Sequence, residues 1–94
     1  MPRSADVAAR GEVAIDQVPF YIGRANGLNL SLPDKSISGR HAMITEVDGQ
    51  LHINDLDSSN GTFVNGNRVT SPQPINDGDS LQFSDSLFLS LIHI

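Results

Sequence analysis

Cysteine is absent from the chain, which removes disulfides, thiolate metal sites and cysteine nucleophiles together. Its absence fits a reducing compartment, so the cytoplasm is the expected location. Basic residues are scarce: 6 Lys+Arg against 11 Asp+Glu give a formal net charge of -5. That is the wrong sign for a protein that must neutralise duplex phosphates along a broad face, and nucleic acid is not an expected partner. No apolar run approaches the ~20 residues of a membrane span, and MPRSADVAAR lacks a signal-peptide core. A soluble protein without a membrane partner is expected. The triplets Asn29-Leu30-Ser31 and Asn60-Gly61-Thr62 match a glycosylation acceptor but would not meet the enzyme without a secretory signal.

Helical patterning is lacking too. No window of a dozen residues carries a good amphipathic period, and there is no repeat, low-complexity tract or interdomain linker. What is present is strand rhythm. Val13 and Ile15, then Phe20 and Ile22, then Leu28, Leu30 and Leu32 alternate with polar or turn residues. Asp48-Gly49 predicts a tight hairpin turn between Met43 to Val47 and Leu51 to Ile53, and Asn65-Gly66 another between Phe63-Val64 and Arg68-Val69. A turn at Asn76 to Asp79, a strand over Leu81 and Phe83, a reversal near Ser84-Asp85 and a buried apolar strand over Leu87 to Ile92 complete the reading. Closely spaced turns of this kind indicate an all-β sandwich or barrel.

The 94 residues suffice for one domain. Residues 1–10 are expected to be a tail or an irregular first strand, and residues 11–94 a single β-sandwich. At this size only about two-thirds of the unfolded surface is buried, which favours a surface site over a deep cavity.

Three of the 6 Lys+Arg, namely Arg24, Lys35 and Arg40, fall close together in an otherwise acidic chain. Arg24 follows Gly23, and Arg40 lies within Ser38-Gly39-Arg40-His41. Arginine forks match phosphate oxygens bidentately, serine hydroxyls add donors, and glycine lets a backbone N–H approach an anion. These residues, with Ser58, Ser59 and Asn60, sit in connections between strands, and sandwich loops gather at its ends. Spacing alone leaves open whether they share one end.

Catalytic and metal readings are weaker. Ser38 and His41 stand in a turn or extended segment, where nothing guarantees a nucleophile-base hydrogen bond. His41, His52 and His93 show no metal-ligand spacing. The run from Asp55 to Gly61 resembles a calcium loop, but counting from Asp55 the glycine position holds Asn60 and the closing glutamate position holds Gly66. No metal, cofactor or catalytic residue is expected.

Gly23-Arg24, Ser38-x-x-His41, Ser59-Asn60-Gly61-Thr62, Asn65-Gly66 and the Asp77-Gly78-Asp79 turn recur in an order and spacing that resemble a forkhead-associated (FHA) domain, a phosphothreonine-recognition module. The resemblance runs from about Val13 to the C-terminus. It implies an eleven-stranded β-sandwich with binding loops at one end. It also implies a phosphothreonine peptide as ligand, held by Arg24, Ser38, the Gly39 N–H, Arg40 and Ser59, with Asn60 bonding the peptide backbone after the phosphothreonine. Gly23, His41, Gly61 and Thr62 would be structural. The implied partner is a threonine-phosphorylated kinase substrate, and a neighbouring domain in a longer chain is a further candidate. The alternative is a phosphate-independent interaction or oligomerisation module on the same fold. Gly39 stands where the family more often has a larger residue, and the start of the chain matches the first strand poorly.

Overall fold

The computed structural model describes residues 9–94, in which ten strands follow one another with no helix between them. They are β1 (Ala9–Ile15), β2 (Phe20–Gly23), β3 (Leu30–Ser31), β4 (Ala42–Val47), β5 (Gln50–Asp55), β6 (Thr62–Val64), β7 (Asn67–Arg68), β8 (Gln73–Pro74), β9 (Ser80–Phe83) and β10 (Ser86–Ile92). Two five-stranded sheets result, ordered β1-β10-β9-β6-β7 and β3-β2-β4-β5-β8. The described residues thus hold ten strands and not the eleven that the resemblance implies. Between Ala9 and Phe20 there is chain for one strand and a turn, and that strand lies parallel to β10. The expected tail or irregular strand over 1–10 lies outside the described residues up to residue 8, while Ala9 and Arg10 open β1.

The hairpins form where two-residue turns can. Asp48 and Gly49 adopt φ of 52° and 82°, and Asn65 and Gly66 adopt 49° and 86°, the left-handed pair of a type I′ turn. The β4–β5 register follows directly, pairing Val47 with Gln50 and Ala42 with Asp55.

Inward positions of the two sheets meet in one core that includes Ile15, Ile22, Ile44, Ile53, Leu81 and Phe83. β10 departs from the expected buried strand. Pleating turns alternate residues outward, so Ser86, Phe88 and Ser90 are buried while Leu89 is 37 % exposed. Ser90 is accommodated because its hydroxyl donates to the Asn76 carbonyl at 3.1 Å and its N–H to the Asp79 carbonyl at 2.9 Å.

Strand direction then places the loops. Ala42 opens β4 opposite Ile22 near the end of β2 and opposite Asp55 at the end of β5. The connections after β2, before β4 and after β5 therefore leave the sandwich at the same end. Ser84, in the β9–β10 turn, joins them by donating its N–H to the Gly61 carbonyl at 3.0 Å.

Candidate functional site

Backbone contact brings the first two loops together. Arg24 N–H donates to the Ser38 carbonyl at 3.0 Å, Ala25 N–H to the Gly39 carbonyl at 3.1 Å, and His41 N–H to the Ile22 carbonyl at 2.8 Å. A Cβ on Gly23 would collide with the Gly39 carbonyl oxygen, a backbone atom that cannot swing aside, so the approach requires glycine.

Side chains then attach the β5–β6 loop. Ser59 N–H donates to Ser38 Oγ at 3.1 Å, and Asn60 Nδ2 donates to the Ser36 carbonyl at 2.6 Å. Beneath them His41 is fully buried. Its Nδ1 accepts the Ser38 N–H at 3.2 Å, which leaves the proton on Nε2 to be donated to the Gly61 carbonyl at 2.8 Å. The imidazole also stands edge-on to Phe83 at 5.8 Å, tying the loops to the core.

The β5–β6 loop winds around one carboxylate. Asp55 accepts from Ser58 Oγ at 2.6 Å, Ser58 N–H at 3.1 Å and Thr62 Oγ1 at 2.7 Å. Burial pushes the Asp55 carboxyl up, but the Ser58 and Thr62 hydroxyls, the Ser58 N–H and the electrostatic effect of His41 outweigh it. The carboxyl is held below the ordinary aspartate range. Gly61 closes the loop at φ 92°, where a Cβ would also stand 3.1 Å from the Phe63 ring.

At the surface this scaffold presents donors. Arg24 is exposed, and among the described residues its side chain makes one hydrogen bond, a long one of 3.5 Å from Nη1 to the Lys35 carbonyl. Arg40 lies over the Tyr21 ring with its Cζ 5.6 Å from the centroid. Stacking occupies the guanidinium face and leaves its in-plane N–H groups available. Because Ser38 Oγ accepts from Ser59, its own proton is left to donate elsewhere. Among the described residues, the Gly39 N–H and the Ser59 hydroxyl find no partner, and neither Arg24 nor Arg40 faces a carboxylate. An acidic chain thus gathers uncompensated donors at one end, an arrangement suited to an oxyanion.

The six residues expected to contact ligand, Arg24, Ser38, Gly39, Arg40, Ser59 and Asn60, all lie at this end; Gly23, His41, Gly61 and Thr62 lie beneath or between them. Three contributors escape sequence reasoning. Tyr21 supports Arg40, the Ser36 carbonyl holds Asn60, and Ser84 Oγ donates to Ser36 Oγ at 2.9 Å from the β9–β10 turn. The Asp55–Ser58 pair was legible in principle, since an aspartate followed three residues later by serine suits a side-chain turn.

The geometry also bears on the other chemistries. Both His41 nitrogens engage backbone groups, so neither faces the Ser38 hydroxyl as a base. The Asp55 oxygens are occupied by hydroxyl and amide donors, and no cluster of metal-ligating side chains occurs among the described residues.

Comparison with known proteins agrees with this architecture. The family model of the FHA domain matches residues 20–84. The transcriptional regulatory protein EmbR of Mycobacterium tuberculosis is 32% identical over 83 residues, covering 88% of this chain and 21% of EmbR. The chain thus spans about a fifth of the length of EmbR. The solved structure of EmbR with a low-affinity phosphopeptide superposes with a TM-score of 0.66 at 33% identity, covering 77% of this chain and 20% of that one. An FHA structure determined in work on phosphothreonine-dependent FHA interactions gives a TM-score of 0.67 at 33% identity, over 74% of this chain and 72% of that one. In sequence and in fold, the chain belongs to the FHA domain family.

Proposed function

We propose that residues 11–94 form a phosphothreonine-binding module that docks its host protein onto a substrate of a Ser/Thr kinase. One observation carries the reading: two arginines without carboxylate partners among the described residues lie with a backbone N–H and two serine side chains at one end of an acidic sandwich. Arg24 clamps the phosphate, with Ser38 Oγ, the Gly39 N–H, Arg40 and the Ser59 hydroxyl as further donors. Asn60, held by the Ser36 carbonyl, bonds the peptide backbone just after the phosphothreonine. Gly23, His41, Gly61 and Thr62 keep the loops in register. The preference for threonine over serine rests on family membership. The reaction is binding alone, with no catalysis and no cofactor, and the cysteine-free composition fits action in the cytoplasm.

Matched phosphothreonine, phosphoserine and unphosphorylated peptides, titrated into wild type and Arg24→Ala, test the reading. Wild type should prefer the phosphothreonine peptide. Arg24→Ala should cost on the order of 1.5 to 3 kcal/mol, roughly tenfold to a hundredfold in affinity, without changing the unfolding midpoint. Equal binding of all three peptides, or an Arg24→Ala variant that loses nothing, contradicts it.

A further inference from the structure

The donor end is flanked by two differently built surfaces. Asn60 lies beside Ser36, Phe63, Gln82, Ser84 and Asp85, so one flank runs toward the β6–β9 sheet. Arg40 instead leans on Tyr21, whose side chain stands on the outer face of the other sheet. Tyr21 pairs across strands with Met43, and both alternate with buried Phe20, Ile22, Ala42 and Ile44. With Val18, Pro19, Thr45 and Glu46 they line an open groove of about 400 Å³, which Tyr21, the ring beneath Arg40, joins to the donor end. The polar flank and this groove lie on opposite sides of the clamp.

We infer that this groove is a second docking site for the same phosphoprotein, taking an apolar side chain from the residues that precede the phosphothreonine. The inference rests on the clamp reading, which assigns Asn60 to the backbone following the phosphothreonine. A peptide anchored that way leaves the preceding residues to pass over Arg40 and Tyr21. At ~3.3 Å per extended residue, the stretch from Ala42 to Thr45 lies within reach of roughly two to five positions before the phosphothreonine. Val18, Pro19, Met43 and the Tyr21 ring offer apolar contact there, and Glu46 at the outer end disfavours an acidic residue. Arg40 is the hinge of the arrangement, since one face lies on the groove's aromatic wall while its edge serves the phosphate.

The test uses fluorescence anisotropy with a short phosphothreonine peptide that begins one residue before the phosphothreonine. A longer peptide has leucine, alanine or aspartate placed at each of five preceding positions. Leucine at one or two adjacent positions should tighten binding roughly three- to tenfold over alanine, the scale expected of burying one aliphatic side chain in an open groove, and aspartate should not. Met43→Gln and, independently, Thr45→Glu should remove the leucine gain while leaving the short peptide's affinity and the unfolding midpoint unchanged. If the short peptide binds but leucine gives no gain at any position, or the gain survives both variants, the groove inference is overturned and the clamp stands. If the short phosphopeptide itself does not bind, both fall.

Discussion

At the hairpin end of the sandwich, Asn65 engages both halves of its amide internally: Oδ1 accepts the Ser80 N–H at 2.9 Å and Nδ2 donates to Asp79 Oδ1 at 3.2 Å. Asp79 also accepts the Asn76 N–H, and Asp77 accepts the Ile92 N–H, each at 2.8 Å. At the loop end Asn60, also followed by glycine, makes one internal bond to the Ser36 carbonyl and remains exposed. The first region is closed, with acidic side chains satisfied by the chain's own amides. The second is held from below by His41 and Asp55, yet leaves donors above that have no acceptor among the described residues. The same dipeptide closes a turn in one place and, under the proposed function, meets a ligand in the other, and what separates them is the remaining hydrogen-bonding capacity.

The largest effect should come from removing what braces the loop end. His41→Ala leaves the Ser38 N–H and the Gly61 carbonyl without their partner and a void beside Phe83. A loss on the order of 2 to 4 kcal/mol in urea unfolding is expected, with phosphopeptide affinity falling too. An unchanged midpoint would show that the loop end does not depend on this brace.

Exchanging the two asparagines sharpens the contrast. Asn60→Ala should weaken phosphopeptide binding by roughly 1 kcal/mol, about fivefold, with little change in the unfolding midpoint. Asn65→Ala should cost roughly 1 kcal/mol of stability and leave affinity intact. Variants that alter both readouts alike would dissolve the distinction.

The smallest effect concerns Asp55. Its folded-state carboxyl titrates below the ordinary value of 3.8, so the stability it contributes is full above that value and lost as pH falls through the folded-state value. Urea midpoints followed from about pH 7 to about pH 3 should decline more steeply in wild type than in Asp55→Asn. Parallel curves would mean that the Ser58 and Thr62 bonds contribute nothing through its charge.

Legibility in the sequence followed locality. The Asp48-Gly49 and Asn65-Gly66 hairpins were readable because a two-residue turn is decided by the residues within it. The alternation over Leu28, Leu30 and Leu32 yielded only Leu30–Ser31, since nearby side chains replace ladder bonds: Asn29 Oδ1 takes the Tyr21 N–H and Ser31 Oγ donates to the Ala25 carbonyl. The outward leucines of β10 misled for another reason, because a run apolar at nearly every position carries no face signal and packing of Phe88 against Phe83 chose the side. Convergence of Arg24, Ser38, Arg40, Ser59 and Asn60 could not be read from spacing, as it depends on strand register. Tyr21 beneath Arg40 depends on that register as well, and Ser36 acts through a carbonyl that every residue possesses.

Under the proposed function, ligand binds where donors are uncompensated and nowhere at the closed end. Backbone amide chemical-shift mapping during titration with a phosphothreonine peptide tests it most directly. Saturable shifts are expected at Arg24, Ser38, Gly39, Arg40, Ser59 and Asn60, and none beyond noise at Asn65, Gly66 and Asn76 to Asp79. Shifts centred on the hairpin end, or a response equal in the unphosphorylated peptide, would contradict it.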